Sequence, residues 1–486
     1  MKTDSAVELR GWRLDRASET PLFRQLYLHV RSSIVSGGMS AGARLPSTRD
    51  FARATGVSRA SAVAAYEQLL AEGYIEGRVG AGTFVAHDLP RGIEPRAIKR
   101  PPPARPSLPA KRFPVLDEAA LAGDQRPFGT GRSLMDARSV DAWRRLTLRA
   151  LRGFDPVHRG YSDPRGLPAL RTAIAEYVQA TRAVRCEPDQ IVVTAGTMHA
   201  IDIVIRALLS PGDGVWVEDP GYATTHAALI ASGLVPCPIP VDAQGIVVAS
   251  GIRSAPKARA VFITPSHQFP LGVTLSMARR LELLAWARES GAWIVEDDYH
   301  SDFRYAGRPL ASLQGLDDAE RVIYVGTLNK ALFPGLRIGY AIVPQPALGS
   351  FIGARFLTDR QPPSITQLTL TAFIAEGHLA AHIRRIRQSY RDQRDALVGG
   401  LRRHLGETVS VDPPDQGLHL TAFLRHARSD VEIAVTAREH GVIARPLSRF
   451  YHQAPPRKGL LLGFAGYPRQ MIVPAVAKLA RAIGRH

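Results

Sequence analysis

The sequence predicts a multidomain protein. An N-terminal winged helix-turn-helix (α+β) leads into an α/β domain built on a mainly parallel sheet with helices on both faces, ending in a small α+β subdomain. Three observations carry that prediction. Two short, capped helical segments flank a Gly-containing turn near the N-terminus, a run dense in proline and arginine follows, and buried-strand and amphipathic-helix patterns then alternate through most of the chain.

Composition narrows the field. With 486 residues, 45% of them hydrophobic and 22% charged, the chain is long enough for several cores, which excludes bulk disorder and a small disulfide scaffold. The formal net charge of +18 and a pI of about 10.4 point to anionic partners, nucleic acid first. Cys186 and Cys237 lie far apart, which fits a reducing compartment and excludes a cysteine-built zinc site. Met1–Arg10 lacks the apolar core of a secretory signal, and no run approaches the roughly 18 apolar residues of a membrane span. The expected location is the cytoplasm, with no membrane partner and no metal.

The elements follow in order. From Pro21 to Gly37, Leu22, Leu26, Val30 and Ile34 recur at helical spacing. Ser47 caps a second helix that opens with Thr48-Arg49-Asp50-Phe51 and stops at Thr55-Gly56-Val57, and Ser58 caps a third, Arg59 to about Glu72. Two short helices joined by a tight turn form a helix-turn-helix, the second being the major-groove candidate. Ser58, Arg59 and Ser61 put hydroxyls and a guanidinium at a helix N-terminus, where free N–H groups favour phosphate. Gly73 to Val85 reads as a β-hairpin whose tip holds Arg78 and Gly80, a wing able to approach a minor groove. These features span residues 18–87.

Residues 88–114 carry Pro95, Pro101, Pro102, Pro103, Pro106 and Pro109 among seven arginines and lysines. Proline at that density prevents helix and central strand, so this is an interdomain linker. Residues 1–112 hold 18 Lys+Arg against 10 Asp+Glu, so positive charge is denser there than beyond.

From 115 to 486 the pattern is strand, turn, helix. Ile191–Thr194, Val215–Val217, Ala260–Ile263, Trp293–Val295, Val322–Val325 and Ile338–Val343 read as buried strands; Thr197–Leu209 and Ser276–Glu289 are among the helices between them. From about residue 360 the chain turns helix-rich and ends in the smaller α+β subdomain.

Chemistry gathers at the strand ends, where ligands of open α/β sheets bind. Lys330 directly follows a strand and is able to form a Schiff base with an aldehyde, with Thr327 and Arg337 beside it for a phosphate. Asp297 and Tyr299 end another strand. Adjacent carboxylates at a strand end could bind a metal, stay solvated or pair with a cationic ring nitrogen; in the last case Asp297 would keep a pyridinium protonated and Tyr299 would offer its hydroxyl to a phenolic oxygen. Gly196 and Thr197 open a helix whose N–H groups cradle phosphate, and Tyr222 offers a ring for stacking.

Two resemblances join these observations. Leu45-Pro46-Ser47-Thr48-Arg49, Gly56-Val57-Ser58-Arg59, Tyr66-Glu67-Gln68-Leu69, Glu72-Gly73-Tyr74-Ile75 and Gly80-Ala81-Gly82-Thr83-Phe84-Val85 resemble the GntR-type winged helix-turn-helix. The resemblance implies that Arg49, Ser58, Arg59, Ser61, Arg78 and Gly80 contact operator DNA. Tyr161-Ser162-Asp163-Pro164-Arg165-Gly166, Asp219-Pro220-Gly221-Tyr222, Thr264–Gly272, Glu296-Asp297-Asp298-Tyr299 and Gly326–Arg337 resemble fold-type I, class I aminotransferases. The two together resemble the MocR/GabR subfamily of GntR regulators. That likeness implies pyridoxal 5'-phosphate as cofactor, with Lys330 as its Schiff-base lysine, Asp297 at the ring nitrogen, Tyr299 at the phenolic oxygen and Tyr222 stacked on the ring. Gly196, Thr197, Thr327 and Arg337 would hold the phosphate, and His267 would lie against the ring. It also implies a head-to-tail homodimer and a small amine or amino acid effector.

Two positions depart from that family's pattern. Asn329 stands where serine commonly precedes the lysine, and Gly459-Leu460-Leu461-Leu462-Gly463-Phe464 lacks the late arginine that grips a substrate carboxylate. Arg449 is the expected substitute, Arg445 the alternative. The function expected is a DNA-binding regulator sensing a small amine, an amino acid or pyridoxal phosphate itself. The rival is an active aminotransferase with an accessory DNA-binding module.

Overall fold

The computed structural model describes residues 14–88, 126–307, 310–425 and 428–484. Most of the proline-rich linker, 89–114, lies outside the described residues. They form two compact units, taken in turn.

In the first unit, α1 (Leu22–Val35) turns Leu26, Tyr27, Val30 and Ile34 into the core. The Ser47 hydroxyl caps α2 (Thr48–Thr55) by accepting from the Asp50 amide at 3.2 Å. Gly56 ends α2 at φ +67°, left-handed backbone that a glycine supplies without a Cβ clash. Ser58 caps α3 (Arg59–Ala71) in the same way, accepting from the Ser61 amide at 3.1 Å. Strands β1 (Ile75–Arg78) and β2 (Gly82–Val85) pair antiparallel with Ile75 opposite Val85. Phe51, Ala62, Ala65, Leu69, Ile75 and Val85 close one small core, with the Phe51 and Tyr66 rings 5.3 Å apart.

The second unit is built on eight strands: β3 (Ile191–Thr194), β4 (Gly214–Asp219), β5 (Val235–Asp242), β6 (Gly245–Ile246), β7 (Ala260–Ile263), β8 (Trp293–Asp298), β9 (Val322–Thr327) and β10 (Gly339–Ile342). Their order is β3-β10-β9-β8-β7-β4-β5-β6. The central pairs are parallel, whereas β10 runs antiparallel to both β3 and β9. The reason is local: β9 reaches β10 through Leu328–Ile338 with no crossover helix, and so short a return delivers an antiparallel neighbour.

Alternation along the strands sends side chains to both faces. Val192, Val217, Val295 and Ile323 pack on one face with Ile201, Val204 and Phe351, from the helices Thr197–Leu208 and Gln345–Asp359. On the other face Trp216, Val261 and Ile294 meet Leu283 and Trp286 of the helix Met277–Ser290, while Val193 and Tyr324 meet Ile174 and Val178 of the helix Pro168–Arg182. Past the long helix His378–Leu405, strands β11 (Val409–Ser410), β12 (His419–Leu424), β13 (Arg445–Pro446) and β14 (Gly459–Gly463) form a second sheet, ordered β11-β12-β14-β13 and antiparallel throughout. No described helix is long and apolar enough to cross a membrane.

Candidate cofactor site and nucleic-acid interface

Register brings the chemistry to one edge of the large sheet. Thr194, Gly339 and Thr327 lie side by side across β3, β10 and β9, and Asp297 stands opposite Val325 near the end of β8. Along this edge is a cavity of about 340 Å³ that holds Lys330, Asp297, Tyr299, Thr197, Thr327 and Arg337 together. Tyr222 and Arg445 also line it.

The lysine and the carboxyl are tuned by burial. Desolvation lowers the Lys330 amine from its ordinary range, the Arg445 charge lowers it further, and Asp297 opposes both. Burial pushes the Asp297 carboxyl up to about 8; the negative charges of Asp298 and Glu218 add to the rise and Lys330 works against it. Asp298 is itself held by Arg182, whose Nε donates to it at 2.7 Å, and by the Tyr324 hydroxyl at 2.6 Å. Glu218, pushed up to about 7 by burial, accepts from the Thr264 amide at 3.1 Å and hydroxyl at 2.7 Å. The Oδ1 atoms of Asp297 and Asp298 are both buried with no hydrogen-bond partner, but of the three carboxyls only Asp297 lines the lysine cavity. An acceptor left open at the bottom of a cavity suits a cationic ring nitrogen.

A phosphate cradle sits at the other end. Gly196 caps the helix Thr197–Leu208 at φ +104°, and a Cβ there would lie 3.0 Å from the Asn329 amide nitrogen and 3.6 Å from an Arg337 guanidinium nitrogen. The Asn329 side-chain oxygen accepts from the Ile338 amide at 2.9 Å, which turns its NH2 toward the glycine. The first-turn amides of Thr197 and Met198 have no helical carbonyl within reach. Donors of the helix, the asparagine and the arginine thus converge on one spot, an anion site.

Other expected residues are engaged differently or lie outside the lining. The Tyr299 hydroxyl donates to the His267 carbonyl at 2.9 Å, so its hydrogen points at backbone and must turn to serve a ring oxygen. Of the two arginines, the cavity lining includes Arg445 and not Arg449; Arg449 lies exposed in the short 3-10 turn Leu447–Phe450. His267 is buried away from the lining. Thr130, Gly131, His300 and His419 also line the cavity and escaped the sequence reading. A Cβ on Gly131 would lie 3.3 Å from the Lys330 Nζ, but the only signal there was a short glycine-containing stretch far from any strand end.

In the first unit, Arg49 and Arg59 are exposed in the opening turns of α2 and α3. The first turn of α3 contains no acidic residue, which keeps it open to phosphate. The Ser58 and Ser61 hydroxyls lie 2.9 Å apart and engage each other. Arg78 bonds Glu76 at 2.7 Å and lies over the Phe84 ring at 4.7 Å. Gly80 sits at the hairpin tip at φ +73° beside the fully exposed Val79.

Comparison with known proteins agrees with both halves. Residues 22–85 match the family model for bacterial regulatory proteins of the gntR family, and residues 124–479 match that for aminotransferase class I and II. The chain is 39% identical to the probable rhizopine catabolism regulatory protein MocR of Rhizobium meliloti, over 93% of this chain and 92% of that protein. It is 31% identical to the pyridoxine biosynthesis transcriptional regulator PdxR of Corynebacterium glutamicum, over 96% of each. Among solved structures, the multiple substrate aminotransferase of Thermococcus profundus superposes with a TM-score of 0.70 at 25% identity, covering 78% of this chain and 96% of that one. The open Asp297 oxygen, the Gly196 cradle and the desolvated Lys330 fit pyridoxal phosphate, and the chain belongs to the MocR/GabR subfamily of GntR-type transcriptional regulators, DNA-binding proteins with a pyridoxal-phosphate aminotransferase domain.

Proposed function

We propose that the lysine-centred cavity senses a small amine or amino acid and that its occupancy sets the affinity of the winged helix for an operator. One observation carries the reading: a desolvated lysine, an unpartnered carboxyl and Arg445 share a single cavity in a chain that also has a DNA-binding unit.

When bound, pyridoxal phosphate supplies an aldehyde reactive toward amines and a ring that withdraws electrons from the attached carbon. The protein's own groups do the rest. Arg337, the Asn329 amide and the Thr197 and Met198 N–H groups hold the phosphate, with Thr327 beside them. Asp297 accepts at the ring nitrogen and keeps a proton there. Lys330, its ammonium destabilised by burial, would be the residue to carry the aldehyde and to serve as the nucleophilic amine. Tyr222 would supply a stacking ring, Tyr299 a hydroxyl for the phenolic oxygen, and Arg445 a cation for an effector carboxylate.

Arg49, Ser58, Arg59, Ser61, Arg78 and Gly80 form the operator contacts, and a cytoplasmic head-to-tail homodimer goes with this reading. To regulate, the effector must bind one global state of that dimer more tightly than the other.

The test is the visible spectrum of the cofactor-loaded protein during titration with amines and amino acids, with operator affinity measured in the same samples. A compound that shifts the band, holds the shift and changes operator affinity supports sensing. Conversion of the compound to an oxo product with operator affinity unchanged sinks it, and favours the catalytic reading that the retained Lys330, Asp297 and Arg337 also support. Operator affinity that follows pyridoxal phosphate alone makes the cofactor the signal, a reading to which the likeness to PdxR lends weight.

A further inference from the structure

We propose that His267, His300 and His419 form a binding site for one divalent transition-metal ion of the zinc class, set against the wall of the lysine cavity.

The three rings come from separate elements: the loop after β7, the loop after β8 and the first residue of β12. None is more than 5% exposed. Both ring nitrogens of His267, Nδ1 of His300 and Nε2 of His419 are buried with no hydrogen-bond partner. Native interiors pair nearly all such atoms, so three neighbouring imidazoles with open nitrogens are a donor set in want of an acceptor of lone pairs. A metal ion is a partner that all three neutral rings can share through their lone pairs.

The spacing agrees. One nitrogen from each ring lies within 4.8 Å of the other two, and the ring centroids are 5.1, 5.5 and 5.8 Å apart. Three imidazoles on a tetrahedral zinc at about 2.0–2.1 Å hold their centroids roughly 5 Å apart. The rings already have that separation, and a shift of about 1 Å by each nitrogen completes the ligand geometry.

A way in and an open position are both present. His267 and His419 also line a second cavity, of about 430 Å³, whose walls include Asp242, Asp412 and Asp415; carboxylates along an entry path favour a cation. On the other side, His300 and His419 face the cavity of Lys330. Three histidines leave a zinc ion its fourth position, and on this side it takes a water or an oxygen of the effector. That last step rests on the sensing reading above; the metal site does not.

The test uses the full-length chain, stripped with a chelator and titrated with Co2+ and then Zn2+, in wild type and in Lys330→Ala. The expected result is one equivalent of Co2+ per chain, with the visible d–d bands of a four-coordinate ion, displaced by Zn2+ in both proteins. His300→Gln and His419→Gln are each expected to weaken binding by at least ~100-fold, while replacement of the exposed His87 leaves it unchanged. Thermal unfolding identifies any variant that fails to fold, and the other then decides. Absence of the d–d bands in wild type, or equal affinity in a folded histidine variant, overturns the proposal. Metal binding that survives in Lys330→Ala alongside a lost amine response keeps the two readings separate.

Discussion

The side-chain nitrogen of Asn329 stands 3.0 Å from the point where a Cβ on Gly196 would lie. Glycine at this helix cap leaves the space into which the asparagine, Arg337 and the first helical amides direct their hydrogens. Gly196→Ala fills it and forces alanine to φ +104°, a backbone strain of about 1–3 kcal/mol. Cofactor affinity measured by absorbance titration is expected to fall ~10- to 100-fold, an equivalent free energy, while operator binding by the first unit is retained. Unaltered cofactor affinity would mean the phosphate lies elsewhere.

Asp297 gives the cofactor-free protein a pH dependence of defined sign. Its carboxyl is raised to about 8 in the fold against about 4 in the unfolded chain. Between those values the folded state holds the extra proton, so stability falls as pH rises from about 4 to about 8 and levels off above. Glu218, raised to about 7, contributes in the same direction over a narrower window. Asp297→Asn is expected to flatten the slope of melting temperature against pH without abolishing it. A slope identical to wild type would contradict the assignment.

Arg445 and Arg449 separate by position. With Arg445 in the lining of the lysine cavity and Arg449 outside it, Arg445→Ala is expected to weaken a carboxylate effector ~10- to 100-fold, the range for one charged hydrogen bond. Arg449→Ala is expected to change it less than threefold, about 0.6 kcal/mol. Titration of both variants with one effector measures this directly, and the reverse ranking would exchange their roles.

At the other end of the chain, Arg59→Ala is expected to weaken operator binding and to lower the slope of log K against log salt by about 1. Cofactor absorbance should remain as in wild type. An unchanged salt slope would remove Arg59 from the phosphate contacts.

Much of the fold was legible because its signals are local. Ser47 and Ser58 cap the helices they precede in the sequence, and apolar runs such as Ala260–Ile263 have no polar residue to disguise them. What escaped depends on long-range pairing. Val235–Asp242 is a strand despite Pro236, Pro238 and Pro240, because it borders β4 and the short β6 near the sheet's edge. The direction of β10 follows from the short return out of β9, which periodicity does not encode. His300 and His419 are 119 positions apart in the sequence and share a cavity only because the loop after β8 and the start of β12 both line it. Arg445 and Arg449 are four positions apart, one in β13 and one in the 3-10 turn after it, and no spacing rule tells which of them reaches the cavity.

Asp219, at the end of β4, accepts hydrogen bonds from the amides of His452, Gln453 and Ala454 at 2.8, 2.9 and 2.7 Å, and Gly221 donates to the Phe450 carbonyl at 3.1 Å. The segment carrying Tyr222 is thereby riveted to the chain that runs between Arg445 and β14. On the proposed reading, a ligand that drew Arg445 inward would pull on the same segment, so that Tyr222 and Arg445, which line one cavity, would travel as one piece. Binding at either end would be felt at the other through one side chain, the Asp219 carboxylate, and the Gly221–Phe450 backbone bond beside it.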